Sequence, residues 1–298
     1  MTAQNEAQAG ALLKVEIQGR RWAVPLDAVE KVSRAGDLAI DQDGSQSLVH
    51  DDEGPVPLAT LEASRAPADH QRILWLRHHE ARQALAVDDV KGHVEAGRLF
   101  ELPSLPFSSP PPILGLAGDE TDTLAVLDLE RLGSPLPMAP PVSPPPPNGA
   151  EDPGGDLPEP QLMLLPSLAD GTVPALSVAQ VLGFEAIGEV FALPSLPDWC
   201  PGVGWWRGRP IGVFDLAGRL DAQPPAEGTA ARWLIASVPG GGHLALVVRG
   251  RCLPTPLPEE ANVATAQGAL ADAVYGLFET EQTRLALLDL TRWRRAAG

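Results

Sequence analysis

Short stretches of alternating apolar and polar residues run along most of the chain. Alternation with a period of two predicts half-buried β-strands, and glycine or proline between two such stretches predicts a hairpin. Each predicted hairpin is followed by a second unit, made of a strand, a polar tip, a returning strand and a residue that can cap a short helix. The four first hairpins occupy residues 12–32, 72–94, 161–182 and 232–253.

The second units share the same order of features. Three of them close on Asp-Leu and one on Thr-Leu, and both Asp and Thr are good helix N-caps. The chain thus contains four related quarters of about five short strands each, with little helix. We expect an all-β fold in which each half of the chain forms two small barrels or sandwiches. The second units are Ser47–Leu61, Ile113–Leu129, Gly202–Leu220 and Ala273–Leu290, with closing residues Thr60, Asp128, Asp215 and Asp289.

Residues 134–160 separate the two halves. This segment is rich in proline and glycine and has almost no large apolar residue, so we expect a semi-rigid polyproline linker that becomes flexible and acidic. We therefore divide the chain into a disordered tail at 1–10, a first domain at 11–133, the linker, and a second domain at 161–298. The N-terminus lacks the features of a signal peptide, and no apolar run is long enough to span a membrane.

The composition argues against several classes of function. Hydrophobic residues make up 44% of the chain, which is enough for a packed core. The formal net charge of −17 argues against binding to nucleic acid or to an anionic membrane surface. Cys200 and Cys252 follow no metal or redox spacing and are expected to be small apolar residues in a reducing compartment. We therefore expect a cytoplasmic protein without membrane insertion.

No motif in the sequence predicts catalysis, a cofactor or a metal. The glycines at 240–242 lack the helix and lysine of a phosphate loop, and no serine lies in a nucleophile elbow. His78 and His79 lie at a hairpin tip beside Glu80 and would bind a metal only weakly, because no second set of ligands accompanies them. No catalytic residue, cofactor or metal site is therefore predicted.

The tips of the four second units differ in charge. Their sequences are DDEG, DETD, RGR and ETEQ, so that three are acidic and one is basic. The basic tip is a candidate docking point for an acidic partner surface, because it follows Trp205 and Trp206, and Trp and Arg are enriched at binding hot spots. Two interpretations remain open. Either one tryptophan is buried and the other joins Arg207 at an interface, or both are structural and the arginine is solvated.

The order of motifs in residues 161–297 resembles that of the CheW family, the coupling proteins of bacterial chemotaxis. An edge strand with valines, a Leu-Pro, a Trp-x-x-Gly-Val turn, an Arg-Gly tip and an Asp-Leu closure follow one another. Residues 12–133 resemble a second, degenerate copy. The residues that carry the resemblance are Ala175–Leu182, Leu193–Pro194, Pro197–Val203, Trp206–Gly208 and Asp215–Leu216 in the second half, and Ala23–Leu26, Val29–Val32, Val87–Val90 and Val126–Leu129 in the first.

Two departures from the family pattern accompany this resemblance. The residues before Arg-Gly are usually Asn-Leu, and here they are Trp205 and Trp206. The first copy has no Arg-Gly, because Asp51–Gly54 occupies the corresponding tip. We therefore expect the second domain to keep partner binding and the first to have diverged, with a different partner or a structural role.

The resemblance implies that each domain consists of two five-stranded SH3-like barrels and has no catalytic activity. It implies an adaptor that couples the cytoplasmic tips of chemoreceptors to the regulatory domain of a CheA-like histidine kinase, with recruitment to polar receptor clusters. A CheW-like adaptor of a pilus or polar-localisation system and, more remotely, a hydrolytic enzyme with a cleft between barrels are the alternatives. For Trp199, packing in a proline-rich turn is the alternative to contact. The predicted protein-binding residues are Trp199, Gly202, Val203, Trp205, Trp206, Arg207, Gly208 and Arg209.

Overall fold

The regular structure of the protein, given by a computed structural model, is almost entirely β. The predicted all-β class is confirmed, with sheets of five or six strands. Thr60, residues 1–9 and the predicted linker at 134–160 lie outside the described residues. The structure describes residues 10–43, 46–59, 61, 67–95, 98–107, 111–119, 121–132, 161–168, 170–220, 230–256, 262–264, 266, 271–279 and 283–294.

The chain divides into two compact units, and each unit contains two β-sheets. We call them the first half and the second half, after the part of the chain that supplies most of each. The described residues of the first fall within 10–102, 111–132 and 207–210, and those of the second within 103–107, 161–206 and 211–294. Strands and turns are assigned below to a half by their sheet, so β16, β17 and the turn at 207–208 count with the second half.

The described strands of the first half are short, and most are joined by tight turns. Two 3₁₀ turns, Leu26–Ala28 and Ala35–Asp37, lie on either side of the third strand. The strands are β1 (Ala11–Ile17), β2 (Arg20–Pro25), β3 (Val29–Arg34), β4 (Ile40–Asp43), β5 (Gln46–Asp51), β6 (Gly54–Ala59), β7 (Arg72–His78), β8 (Ala81–Val87), β9 (Asp89–Glu95), β10 (Leu99–Phe100), β11 (Ile113–Ala117) and β12 (Leu124–Leu127).

The described strands of the second half follow the same pattern. They are accompanied by one short helix, α1 (Leu216–Arg219), and by 3₁₀ turns at Val178–Gln180 and Arg292–Arg294. The strands are β13 (Gln161–Leu164), β14 (Thr172–Ser177), β15 (Val181–Ala186), β16 (Gly202–Trp206), β17 (Arg209–Asp215), β18 (Ala231–Ser237), β19 (His243–Arg249), β20 (Leu253–Pro256), β21 (Asn262–Ala264), β22 (Val274–Glu279) and β23 (Arg284–Leu288).

The two halves have the same strand topology. The first half has sheets of order β10-β11-β12-β2-β1-β9 and β3-β7-β8-β6-β5-β4. The second half has sheets of order β21-β22-β23-β14-β13-β20 and β15-β18-β19-β17-β16. Each sheet contains a parallel pair at the corresponding place: β12 with β2, β8 with β6, β23 with β14, and β19 with β17. The repeat seen in the sequence is therefore a repeat of the fold.

The strand register shows which residues of the two halves correspond. The edge strands β3 and β15 each carry a bulge directly after their first residue. The parallel strand pairs lead to the same alignment of residues between the two halves as these bulges do. In the first half Leu58 lies beside Ala84, and in the second Val213 lies beside Ala245.

Corresponding positions in the two core clusters exchange large and small residues. Trp233 occupies the position of Ile73, and Gly204 occupies the position of Val49. All four residues are buried. A Cβ atom on Gly204 would lie 2.5 Å from the indole ring of Trp233, so the glycine makes room for that ring. In the first half, the tryptophan of the corresponding cluster is instead Trp75.

Candidate partner-binding site

The basic tip is a hairpin turn of two residues, Arg207 and Gly208, between β16 and β17. Both residues have positive φ, 50° and 72°, as the type I′ turn favoured in two-residue hairpins requires. β16 has the predicted bounds, whereas β17 begins at Arg209 and not at Pro210, because this turn needs only two residues. Arg207, Gly208 and Arg209 are all exposed. The tip therefore carries two exposed cationic side chains.

Trp205 and Trp206 are both half-buried at the end of β16. Successive strand residues point to opposite faces of a sheet, so the two rings lie on different faces. Trp206 packs against the core cluster that contains Trp233. Its ring meets His243 edge-on, with centroids 5.2 Å apart, and its Nε1 donates a hydrogen bond of 3.4 Å to Glu185. Glu185 and His243, which the sequence did not single out, therefore hold Trp206 in place.

Gly202 and Val203 are buried and attach the start of β16 to the segment before it. Val203 and Phe191 exchange both backbone hydrogen bonds, at 2.7 and 3.0 Å. This single bridge occupies the place that β4 has beside β5 in the first half. Gly202 has φ of 142°, and a Cβ atom there would lie 2.2 Å from the carbonyl oxygen of Phe191. Only glycine fits this close approach.

Trp199 is half-buried and lies in a stack of aromatic and cationic groups. Its ring stacks on Phe214, with centroids 6.2 Å apart. The guanidinium of Arg219 lies 4.7 Å from the centroid of the Trp199 ring. The backbone carbonyl of Trp199 accepts a hydrogen bond of 2.8 Å from the N–H of Asp215. Arg219 is buried, which lowers its pKa, and it donates to the carbonyl of Asp272. Packing is thus an observed role of Trp199. Arg219 is a supporting residue that no local sequence pattern identifies.

The predicted closing residues Asp128, Asp215 and Asp289 make the same local hydrogen bond, and Asp215 is the N-cap of α1. Each side chain accepts a hydrogen bond from the backbone N–H two residues later, at distances of 3.0–3.2 Å. In the second half, the helix that begins after Asp215 is only four residues long. The backbone N–H of Asp215, and not its capping side chain, ties the end of β17 to the turn that contains Trp199.

The corresponding hairpin tip of the first half has different chemistry at matched positions. The register aligns Asp51 with Trp206 and Arg82 with His243. In the first half, Asp51 and Arg82 form an ion pair of 2.8 Å. In the second half, the residues at the same two positions, Trp206 and His243, make an edge-on ring contact. The same contact between strands is therefore ionic in one half and aromatic in the other.

Asp51 lies at the centre of a network of ion pairs. Arg82 reaches Asp51, Glu53 and Glu30 at 2.8, 2.9 and 3.0 Å, and Lys31 reaches Asp51 at 3.2 Å. The hydrogen bond from Arg82 holds the pKa of Asp51 well below its usual range, and the bond to Asp51 raises the pKa of Arg82. The Asp51 side chain is only 4% exposed. This tip is acidic by sequence, but its central carboxylate is covered by cations.

These features define an all-β module with two sheets per half, in which one half carries an exposed basic hairpin beside half-buried tryptophans. Residues 164–293 match the family model described as the CheW-like domain. These residues form a CheW-like domain, and the resemblance recognised in residues 161–297 is confirmed.

The chain was also compared with solved structures and with curated proteins. The chain is similar to the crystal structure of the scaffolding protein TtCheW from Thermoanaerobacter tengcongensis, with 16% identity, a TM-score of 0.39, and coverage of 46% of this chain and 88% of that chain. No curated protein matches the sequence. Among the described residues, no helix is long and apolar enough to cross a membrane.

Proposed function

We propose that the protein is a non-enzymatic adaptor of bacterial chemotaxis-type signalling. Its second domain couples the cytoplasmic tips of chemoreceptors to the regulatory domain of a CheA-like histidine kinase. The observation that carries this proposal is the CheW-like domain match over residues 164–293. In this function the protein works in the cytoplasm and is recruited to polar receptor clusters.

Arg207 and Arg209 form the electrostatic part of the proposed docking surface, and Trp205 forms its apolar part. Both arginines are exposed, Arg207 in the two-residue turn and Arg209 at the start of β17, so that the strands on either side fix the backbone between them. A pre-organised turn loses little conformational entropy when a partner binds. Trp205 and Trp206 lie on opposite faces, and Trp206 packs on the core, so Trp205 is the ring that we assign to the partner.

Gly202, Val203, Gly208 and Trp199 contribute to this surface through its shape. Gly202 and Val203 anchor the start of β16, and Gly208 permits the turn. Trp199 packs on Phe214. We therefore assign the direct contact to the residues beyond this support, namely Trp205, Arg207 and Arg209.

The first domain is proposed to be a degenerate CheW-like domain that does not bind the same partner surface. The shared strand topology supports the common origin of the two halves. The pair of Asp51 and Arg82 at the position of Trp206 and His243 supports the loss of a common docking chemistry. A partner that selects an aromatic and cationic tip would meet ion-paired carboxylates there.

An enzyme would need convergent acid, base or nucleophilic groups in a cleft. A shallow cleft in the second half is lined mostly by apolar and backbone groups, with Ser167 and Arg249 as its polar side chains. A serine needs an adjacent base to act as a nucleophile, and Arg249 is not a base at neutral pH. This cleft therefore favours the adaptor over a hydrolytic enzyme.

The proposal is tested by binding of the full chain to a receptor cytoplasmic tip fragment and to a kinase regulatory domain. Arg207→Asp reverses the charge and suits the left-handed conformation at this position, because Asp tolerates positive φ better than most residues. We expect at least a tenfold loss of affinity for one of the two partners, with weaker wild-type binding at high salt. Arg251→Asp is the matched control, since Arg251 is an exposed arginine elsewhere in the second half.

Equal affinity of wild type and Arg207→Asp for both partners would refute the docking hairpin. Absence of binding by the wild type to either fragment would refute the coupling function itself. The role of the first domain is tested by deleting residues 1–133. If receptor clusters and signalling are unchanged by this deletion, the first domain is dispensable for the proposed function.

A further inference from the structure

Three potential metal ligands converge at one end of the first half, at the turn between β7 and β8. The Nε2 atoms of His78 and His79 lie 3.5 and 3.7 Å from Oε1 of Glu130. One ligand atom from each of the three residues lies within 4.8 Å of the other two. We propose that His78, His79 and Glu130 bind a divalent transition-metal ion such as Zn²⁺.

The two distances from Glu130 suit such an ion. Two ligand atoms that each lie about 2.1 Å from a tetrahedral zinc ion are separated by about 3.4 Å. The distances from Glu130 to His78 and His79 exceed this value by a few tenths of an ångström. Small rotations of exposed side chains close this difference, because neither His79 nor Glu130 is packed into a core.

The backbone brings the two adjacent histidines to the same side. Successive residues of a regular strand point to opposite faces, which would separate their rings. His78 is the last residue of β7, and His79 has φ of 52°, in the left-handed region. This turn places the two ring centroids 4.2 Å apart. An i, i+1 pair of histidines can therefore serve as two ligands here.

The backbone around Glu130 is held in place by two hydrogen bonds. Its N–H donates to the side chain of Asp128 at 3.1 Å. The carbonyl of the preceding residue, Leu129, accepts a hydrogen bond of 3.0 Å from the side chain of Gln83 on β8. The segment after β12 is thus attached to the hairpin that carries the histidines, and a bound ion would join the two sheets of the first half.

The second half has the same juxtaposition without the metal-binding chemistry. There Arg294, which follows the closing residue Asp289, donates a hydrogen bond of 2.8 Å to the carbonyl of Gly241 at the turn between β18 and β19. The contact between a closing segment and the opposite hairpin turn is therefore a property of the shared topology. Among the described residues, it is the first half that brings imidazole and carboxylate groups together at this contact.

The ligand set indicates the class of ion. Two imidazoles and one carboxylate suit Zn²⁺ and the neighbouring ions Ni²⁺ and Cu²⁺, whereas Mg²⁺ and Ca²⁺ prefer oxygen ligands alone. Three protein ligands leave at least one coordination position open, for water or for a group from another molecule. This site lies in the first half and does not depend on the docking hairpin of the proposed function.

The test is calorimetric titration of tag-free, full-length protein with Zn²⁺, together with the visible absorption spectrum after titration with Co²⁺. We expect one Zn²⁺ per chain at this site and a Co²⁺ spectrum typical of tetrahedral coordination. His79→Asn removes an imidazole and keeps a residue that tolerates positive φ. Glu130→Gln keeps the shape of the side chain and removes its charge. Each variant should weaken Zn²⁺ binding at least tenfold.

His93→Asn is the matched control, because His93 is an exposed histidine of β9 in the same half. We expect it to bind Zn²⁺ as the wild type does, and circular dichroism of all variants to match the wild type. Absence of Zn²⁺ binding by the wild type would overturn the proposal. Binding that Glu130→Gln leaves within twofold of the wild type would overturn the three-ligand site, whatever His79→Asn does.

Discussion

Replacing Trp233 by isoleucine and Gly204 by valine would give the second half the buried pair that the first half has at Ile73 and Val49. Gly204→Val alone forces a side chain into the indole ring, because its Cβ would lie 2.5 Å from Trp233. Overpacking of this kind costs about 3 kcal/mol. We therefore expect Gly204→Val to be strongly destabilising by itself.

Trp233→Ile alone leaves a cavity beside Gly204. Truncation of a buried tryptophan to alanine costs about 4 kcal/mol, and isoleucine retains part of the lost contact. The indole N–H of Trp233 is buried without a hydrogen-bond partner among the described residues. Removing this unsatisfied donor is favourable and offsets part of the lost stability. We expect a net loss of about 2 kcal/mol for this variant.

The double variant should lose much less free energy of unfolding than the two single variants lose when their losses are added. The valine fills the space that the indole vacates, so we expect a favourable coupling of about 2 kcal/mol. Hydrogen exchange of peptides from β18 measures the local free energy of opening, and peptides from β7 in the first half serve as the internal control. Additive or more severe loss in the double variant would refute the correspondence between the two cores.

Three further outcomes follow from single contacts. Gly202→Ala should weaken the bridge to Phe191 by about 2 kcal/mol, seen as faster hydrogen exchange in β16, and unchanged exchange would contradict the steric argument. The Arg82 hydrogen bond lowers the pKa of Asp51, so its stabilisation is complete above the unfolded value of about 3.9 and is lost as the pH falls from there through the folded pKa. In Asp51→Asn, the free energy of unfolding of the first half should therefore depend less on pH in the acid range than in the wild type. An unchanged pH dependence would contradict this. Burial raises the pKa of Cys200 to about 12, so this thiol should react with a disulfide reagent only after denaturation, and rapid native labelling would contradict its burial.

The local features of the docking hairpin could be predicted from the sequence. Alternation of apolar residues gave the bounds of β16, and the capping preference of aspartate identified Asp215. The tip was drawn one residue too long at Arg209, because the two-residue turn depends on the positive φ of Arg207, a residue type that rarely adopts it. Signals that act over a few residues were therefore sufficient for the outline of this hairpin, whose role in docking stays a proposal.

Contacts between distant strands could not be predicted in this way. Glu80 is the acidic neighbour of His79 in sequence, but Glu130 approaches both histidines because the closing segment of one sheet meets a turn of the other. The pairing of Asp51 with Arg82 likewise depends on the register of a parallel strand pair that no local pattern specifies. Charge along the sequence thus suggested a bare acidic tip, whereas tertiary pairing neutralises its central group.

The strand order also constrains how each half is made on the ribosome. The sheet that contains β1 and β2 is completed only by β9 to β12, while β3 to β8 form the other sheet as a continuous insertion. Residues 29–87 can therefore complete their sheet during synthesis, before β9 to β12, which complete the sheet of β1 and β2, have emerged from the ribosome. Until then β1 and β2 remain an incomplete sheet whose edges are open to mispairing. Because the second half repeats this nesting, two similar unfinished sheets arise in succession on one chain, which exposes the nascent protein to exchange of strands between its halves.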